Sequence, residues 1–143
     1  GMLRFSNNFT ANQLLLTVGL QRYGPPATLE KGTCALTEYL QQEVKLPTEQ
    51  FKLVEGSGIS RKNRLTPEAI WLLLKAFAPY KNLLHADNGF LLKTGTLRGV
   101  YTMAGYLPGR KPRYFVILLN QPQNFRDKIL EILSKTDFSV GKF

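Results

Sequence analysis

GFLLKTGTLRGVYTMAGYLPGRKPRYFVILLN, residues 89–120, decides the fold that this sequence predicts. It contains three largely apolar runs, GFLLKT (89–94), GVYTMAGYL (99–107) and RYFVILLN (113–120), separated by short turns that contain glycine or proline. Short turns join antiparallel neighbours, so the stretch predicts a three-stranded antiparallel meander. The third run is apolar on both faces, which is typical of a central strand covered on both sides.

Helices are predicted before and after this meander. Apolar residues recur near helical spacing, Thr28 and Thr66 are suitable N-caps, and the GPP at 24–26 stops the first helix. The predicted elements are helices at 8–20, 28–44, Thr66 to Pro79 and about 123–134, with a short strand at 51–54. The last helix is expected to pack on the sheet through Phe125, Ile129, Leu130, Ile132 and Leu133. The predicted fold class is therefore α+β.

The totals favour one globular domain spanning residues 1–143. The chain has 143 residues, 43% of them hydrophobic and 20% charged, and no apolar run of about 18 residues that could span a membrane. Cys34 is the only cysteine and His85, in a polar loop, the only histidine, so an internal disulfide is excluded and a metal site is not expected. Gly1 before Met2 resembles the remnant of a cleaved tag.

The formal charge of +9 would suit nucleic acid, an anionic cell-wall polymer or acidic lipid. The basic residues cluster in RKNR (61–64) and in a later turn with Arg110, Lys111 and Arg113. No aromatic residue interleaves the first cluster, so a solvated face is favoured and no nucleic acid partner is predicted.

Two polar clusters each allow a structural and a functional interpretation. KTGT (93–96) could be a hairpin turn, or a strand edge that presents an ammonium and hydroxyl groups to an anionic substrate. SNN (6–8) could simply cap the first helix, or Ser6 could transfer a proton while the Asn8 amide holds a substrate carbonyl. The residues alone favour the structural interpretation for both.

Two other patterns are set aside as functional motifs. GSGISRKN (56–63) reads G-x-G-x-x-R, without the third glycine of a dinucleotide-binding loop, and is interpreted as a structural loop. Ser139-Val-Gly-Lys142 matches Ser-x-x-Lys, but a glycine beside the chain end cannot fix the helical turn that would pair the two side chains.

The order of the clusters is more informative than any one of them. SNN at 6–8, GSGISRKNRLTP at 56–67 and KTGTLRGVYTMAGYL at 93–107 resemble the penicillin-recognising serine D-alanyl-D-alanine carboxypeptidases, class C low-molecular-mass group. In that family Ser-x-Asn, a Gly-Ser-Gly-Leu-Ser-Arg-x-Asn loop and Lys-Thr-Gly follow in this order. The resemblance runs from about residue 3 to 120 and implies a partial β-lactamase/transpeptidase-like fold.

The resemblance also implies roles for individual residues. Ser6 would transfer a proton and Asn8 would hold the substrate amide. Lys93 would supply positive potential, Thr94 would bind the terminal carboxylate of D-Ala-D-Ala, and the Thr96 N–H would complete an oxyanion hole. The predicted catalytic residues are therefore Ser6, Asn8 and Lys93, and the predicted substrate-binding residues are Thr94, Gly95 and Thr96.

The chain departs from the family pattern at three places. The family's nucleophile lies in a Ser-x-x-Lys helix N-terminal to Ser-x-Asn, and this sequence begins at the latter element. Glu55 stands where the family's glycine loop usually begins with Asp, and the stretch from this loop to Lys93 is shorter than usual. We therefore expect the C-terminal half of a peptidase domain, inactive alone.

The expected partners follow from the same resemblance. They are peptidoglycan stem peptides, β-lactams, the missing N-terminal half of the domain, and a second copy of the chain if the open sheet edge pairs with itself. No metal or organic cofactor is implied, and the expected location is periplasmic or extracytoplasmic. The alternative is a noncatalytic cell-wall or protein-binding module that keeps a degenerate peptidase cleft.

Overall fold

The computed structural model describes residues 2–109 and 113–136. The helices are α1 (Met2–Phe5), α2 (Asn8–Tyr23), α3 (Leu29–Gln42), α4 (Pro67–Phe77) and α5 (Arg126–Lys135), with short 3₁₀ helices at Thr48–Gln50 and Ala78–Leu83. The strands are β1 (Phe51–Lys52), β2 (Arg64–Leu65), β3 (His85–Asp87), β4 (Phe90–Leu97), β5 (Val100–Leu107) and β6 (Arg113–Asn120). Arg110, Lys111 and the Ser139–Lys142 pattern lie outside the described residues. Within the described ranges, every helix is too short or too polar to cross a lipid bilayer.

Helices α2 and α3 cross at a pair of glycines. A Cβ atom on Gly19 would lie 2.4 Å from the backbone nitrogen of Gly32, and one on Gly32 would lie 2.5 Å from the carbonyl oxygen of Leu15. Only hydrogen atoms fit between the two backbones at this point. The predicted caps are confirmed, because the Thr28 hydroxyl accepts a hydrogen bond from the Lys31 N–H at 3.2 Å.

A first hydrophobic core lies between α3, α4 and the small sheet β1–β2. In α4 the predicted start is confirmed: Thr66 accepts a hydrogen bond from the Ala69 N–H at 3.0 Å, and Pro67 occupies the first turn. The predicted strand at 51–54 is confirmed only for its first two residues, which pair antiparallel with Arg64–Leu65. The buried residues of this core are Leu40, Leu46, Phe51 and Ala69.

The second core lies between α5 and one face of the main sheet. This sheet is antiparallel with the order β3-β4-β5-β6, and its register aligns Leu92 with Gly105 and Phe115. Successive residues of a strand face opposite sides, so alternate residues of β4, β5 and β6 contribute to the core. The buried members are Phe90, Leu92, Met103, Phe115, Ile117 and Leu130.

The predicted meander is confirmed, but its extent differs in two ways. The sheet has a fourth strand, β3, because the polar segment His85–Asp87 pairs with Phe90–Leu92 through its backbone while its side chains remain exposed. Alternating hydrophobicity cannot reveal such a strand, since it buries nothing. Strand β4 also continues past residue 94 to Leu97, so KTGT lies inside a strand and the chain reverses at residues 98–99. The hairpin-turn interpretation of KTGT is wrong.

Two expectations about packing are also corrected. Strand β6 is the outermost strand of the described sheet rather than a central one, although its side chains are covered on both faces. The apolar run indicates that both faces of β6 are covered, but it does not indicate how many strands lie beside it. Phe125 and Ile132 are 48% and 58% exposed instead of packing on the sheet, because Phe125 precedes α5 and Ile132 lies outside the face that Ile129, Leu130 and Leu133 turn to the core.

The helical part and the sheet are joined through α4. The buried Tyr106 hydroxyl of β5 donates a hydrogen bond of 2.6 Å to the carbonyl oxygen of Leu74 in α4. Burial, and secondarily the nearby Tyr114, raise the pKa of Tyr106 to about 12, so its phenol stays protonated and remains a donor.

The glycine crossing makes a prediction for stability. Gly19→Ala gains helix propensity, but its methyl group would meet backbone atoms that no side-chain rotation can move. We expect a net decrease in the free energy of unfolding of about 1–3 kcal/mol, measured by urea denaturation. Gln21→Ala, at an exposed position of the same helix, is the control and should change stability by less than about 0.5 kcal/mol. Equal stability of the two variants would contradict a close crossing.

Candidate functional site

Ser6 and Lys93, two of the predicted catalytic residues, are in direct contact although they lie 87 positions apart in the sequence. The Lys93 ammonium donates a hydrogen bond to the Ser6 hydroxyl, with 2.5 Å between Nζ and Oγ. It donates a second bond of 2.6 Å to the carbonyl oxygen of Thr94. An ammonium has three N–H donors, so these two contacts leave a third for a ligand.

Ser6 is placed by the connection between α1 and α2. Its φ of 51° lies in the left-handed region, which residues other than glycine rarely adopt. Asn7 then caps α2 by accepting a hydrogen bond of 2.8 Å from the Thr10 N–H, as the SNN cluster predicts. This tight turn directs the Ser6 side chain toward the sheet instead of along the helix.

The environment of Lys93 lowers its pKa below the ordinary value for lysine. Burial of the half-exposed side chain is the main cause, since it disfavours the charged form, and the positive charge of Arg126 adds to it. The Lys93 ammonium is therefore a stronger acid than a solvated lysine, and it gives up a proton more readily.

A small pocket of about 160 Å³ opens beside this contact. Its polar lining comes from the α1–α2 connection, β3, β4 and α5, and consists of Ser6, His85, Asp87, Lys93, Thr94 and Asp127. The volume suits a carboxylate or a similar small group and is below that of a typical site for a larger ligand. No cluster of three or more histidine, cysteine, aspartate or glutamate side chains in the described part of the chain is arranged to hold a metal ion.

The other predicted site residues lie around this pocket without lining it. Asn8 is the first residue of α2 and is exposed. Gly95 pairs with Thr102 in β5, and a Cβ atom on Gly95 would lie 2.5 Å from the Thr102 hydroxyl oxygen, which explains the glycine. Thr96, the next residue along β4, is exposed. The structure thus brings Ser6, Lys93 and Thr94 together at one pocket. The catalytic and substrate-binding roles of the six predicted site residues stay predictions.

Arg126, at the start of α5, was not found from the sequence. Its Nη1 donates to the carbonyl oxygen of Gly95 at 3.1 Å and to the hydroxyl of Thr96 at 2.8 Å. No local pattern links residues about thirty positions apart. The position of Arg126 at the first residue of a helix is itself unusual, because a cation there is disfavoured by the helix dipole. An arginine at this position indicates that the side chain has another role.

The Glu55 carboxylate is the centre of the loop at 55–63. It accepts hydrogen bonds from the backbone N–H groups of Ser57 (2.6 Å), Gly58 (2.9 Å) and Ser60 (3.2 Å). The Ser57 hydroxyl and the Asn63 amide donate to it as well, at 2.5 and 2.6 Å. Glutamate at this position therefore folds the loop around a single carboxylate.

The same loop connects the two elements that carry Ser6 and Lys93. The Gly56 N–H donates to the Asn12 side-chain oxygen in α2 at 2.8 Å, and α2 is the helix that follows Ser6. At its other end, Arg61 donates to the carbonyl oxygen of Arg98 at 2.6 Å, in the turn directly after β4. The structural-loop interpretation of GSGISRKN is thus correct, and the loop spans both sides of the site.

Comparison with known families decides the identity of this arrangement. The model of the D-Ala-D-Ala carboxypeptidase 3 (S13) family matches residues 1–90. The chain belongs to this family. The resemblance inferred from SNN and the glycine loop is confirmed. The segment Lys93–Thr96 lies just beyond the matched residues, so its link to the site rests on the contact with Ser6.

A relative of this S13-family chain is the D-alanyl-D-alanine carboxypeptidase DacB of Haemophilus influenzae. The two are 28% identical over 130 residues, which covers 74% of this chain and 27% of the relative. The S13-family chain thus spans about a quarter of the length of this curated relative.

Solved structures of similar proteins confirm the α+β fold. Penicillin-binding protein 4 (DacB) of H. influenzae matches with a TM-score of 0.77 at 23% identity, covering 94% of this chain and 38% of that one. The same protein in complex with a β-lactam matches with a TM-score of 0.76 at 22% identity, covering 94% and 40%. A predatory endopeptidase of Bdellovibrio bacteriovorus, solved with an immunity protein, gives 0.65 at 21% identity, covering 94% and 39%.

The Glu55 loop makes a prediction about pH. Burial alone would raise the pKa of Glu55, but the hydrogen bonds from Ser57, Ser60 and Gly58 outweigh it and hold the pKa below its ordinary value of 4.5. Since the folded pKa is the lower one, the carboxylate stabilises the fold above the unfolded pKa. This stabilisation is lost as the pH falls through the folded pKa.

Glu55→Gln tests this prediction. The amide group places N–H donors against N–H donors, so we expect a loss of about 1–2 kcal/mol of unfolding free energy at pH 7, the low end reflecting partial solvent exposure. The difference between wild type and variant should shrink as the pH falls below 4.5, as followed by urea denaturation across pH. Glu49→Gln, exposed in the preceding 3₁₀ helix, is the control. A difference that stays constant with pH would show that Glu55 does not act as a carboxylate.

Proposed function

We propose that the chain is the C-terminal half of a serine-type D-Ala-D-Ala carboxypeptidase or endopeptidase domain that acts on peptidoglycan stem peptides. In the complete protein a serine of a Ser-x-x-Lys helix attacks the terminal D-Ala-D-Ala amide and forms an acyl-enzyme, which water hydrolyses. A β-lactam acylates the same serine as its ring amide opens, and the resulting adduct hydrolyses slowly. The observation that carries the proposal is the contact between Lys93 and Ser6 in a chain of the S13 family.

The Lys93–Ser6 contact supports a role in proton transfer. A serine hydroxyl has one O–H donor, and because Lys93 donates to its oxygen, that O–H is directed elsewhere. It can protonate the amine that leaves when the acyl-enzyme forms. The lowered pKa of Lys93 supports this role, since the ammonium can in turn replenish the Ser6 proton.

The edge of β4 supports binding of an extended peptide. Strand β3 pairs only with Phe90–Leu92, so the outer edge of β4 from Lys93 to Leu97 has no strand beside it in the described part of the chain. A substrate backbone can pair with such an edge. Its terminal carboxylate would then lie near Lys93 and Thr94, and the Thr96 N–H would stabilise the oxyanion while Asn8 holds the substrate amide.

The outer edge of β6 supports the assignment to half of a larger domain. This edge is unpaired in the described part of the chain, although both faces of the strand are covered. We propose that strands of the N-terminal half pair with it and that the nucleophile helix packs on α2. The side chains of Leu14 and Val18 in α2 are 49% and 44% exposed, and the nucleophile helix would cover them. An extracytoplasmic location follows from the proposed substrate.

Intact mass after addition of penicillin tests the proposal. We expect no adduct on this chain, and one penicillin per molecule on the longer product of its source, mapped to a serine upstream of Ser6. If the naturally produced protein also begins at Met2 and takes no adduct, the enzyme proposal is overturned and a noncatalytic binding module is favoured.

Lys93→Met tests the role of the ammonium in the longer product. Removal of a preorganised donor and its charge should slow acylation by penicillin about 10²- to 10³-fold. The thermal midpoint of unfolding should change little. Methionine loses the hydrogen bonds of Lys93, but it also avoids the free-energy cost of partly burying a charged group. Lys52→Met, exposed in β1, removes the same charge away from the pocket and should acylate at the wild-type rate. Equal rates for the two variants would exclude Lys93 from the reaction.

A further inference from the structure

We propose that Arg126 is a positioning residue of the substrate cleft, which fixes the Gly95–Thr96 segment of β4 and orients the Thr96 hydroxyl as a hydrogen-bond donor toward an anionic group of the ligand. This inference rests on the proposed function, and extends it to a residue of α5 that lies outside every motif described above. The ligand group it implies is a carboxylate, the chemistry shared by a peptide C-terminus and a β-lactam.

The contacts of Arg126 fix two consecutive residues of β4. One nitrogen, Nη1, carries two N–H groups and donates to the carbonyl oxygen of Gly95 at 3.1 Å and to the hydroxyl oxygen of Thr96 at 2.8 Å. Two donors on one rigid planar group hold both acceptors in a single arrangement. The backbone N–H of Thr96, the proposed oxyanion donor, lies between these two acceptors along the chain.

The hydroxyl of Thr96 gains a defined direction from this contact. Because it accepts a hydrogen bond from Arg126, its own O–H cannot point at the guanidinium and is available to another acceptor. Thr96 is exposed, so that acceptor can come from a ligand. The adjacent positive charge also polarises the O–H and makes it a better donor to an anion.

Arg126 holds this position at an energetic cost. It is the first residue of α5, where the helix dipole disfavours a cation, and its buried Nε has no hydrogen-bond partner among the described residues. Its charge also lies close enough to Lys93 to disfavour the ammonium there. Two cations held beside one strand edge attract an anion at that edge, while Asp87 and Asp127 line the neighbouring pocket.

Acylation by penicillin of the longer product tests the inference. We expect Arg126→Gln to slow acylation about 10- to 100-fold and Thr96→Val to slow it by a similar factor. The double variant should be no slower than the slower single variant, because both changes remove the same oriented hydroxyl. Arg126→Lys keeps the charge without the planar fork and should restore only part of the rate. Lys128→Gln removes the same charge from an exposed position of α5 and should stay within twofold of wild type.

The result that overturns the inference is an Arg126→Gln rate equal to that of Lys128→Gln, or single effects that multiply in the double variant. A purely structural role would lower the thermal midpoint of Arg126→Gln without this non-additivity, and would also overturn it.

A second measurement, on this chain without ligand, separates this inference from the proposed function. By NMR, Arg126→Gln should lower the backbone order parameters of Gly95 and Thr96, which lose their anchor, and raise the pKa of Lys93, because a neighbouring positive charge has been removed. His85, Asp87 and Asp127 line the same pocket as Lys93. Their contribution to the Lys93 titration cancels in the comparison, because the wild-type chain and the Arg126→Gln variant both contain them. If the longer wild-type product takes no penicillin, the proposed function fails. Unchanged order parameters of Gly95 and Thr96 together with an unchanged Lys93 titration would overturn the positioning role, whether or not the longer protein takes penicillin.

Discussion

The Glu55 carboxylate shapes the loop that ties α2 to the turn after β4, in addition to the packing of α4 on the sheet. Five donors within its own loop converge on it, and the loop they shape reaches α2 through Asn12 and the β4–β5 turn through Arg61. Ser6 precedes α2 and Lys93 lies in β4, so the separation of these two side chains depends on the shape of the loop. A charged acceptor suits this role, since hydrogen bonds to a carboxylate are stronger than those between neutral groups.

Electrostatic strain is concentrated at the free edge of β4. Lys93 is half-buried, and Arg126 places a second cation nearby at the unfavourable end of a helix. Each cation is retained because its N–H groups meet fixed oxygen acceptors, namely Ser6 and Thr94 for Lys93, and Gly95 and Thr96 for Arg126. The two cations beside an unpaired backbone edge support the proposed binding of an extended, anionic ligand, in a pocket that Asp87 and Asp127 also line.

Local chemistry accounts for the parts of the fold that could be predicted. Thr28 and Thr66 cap helices wherever the rest of the chain lies, because a cap needs only the next three residues. The meander follows from short turns in the same way. Strand β3 and the edge position of β6 could not be predicted, since exposed side chains carry no periodic signal and an apolar run does not reveal how many strands flank it.

The sequence by itself determined the α+β class, the helix starts and the meander, which depend on residues close together in the chain, and it carried the SNN cluster and the glycine loop, in the order that the S13 family shows. Only the tertiary structure decided that KTGT lies within a strand, that Lys93 contacts Ser6, and that Arg126 holds Gly95 and Thr96. These contacts join residues about 30 to 87 positions apart. They form only when packing of the two cores fixes where α2, β4 and α5 meet, and no local pattern encodes that geometry.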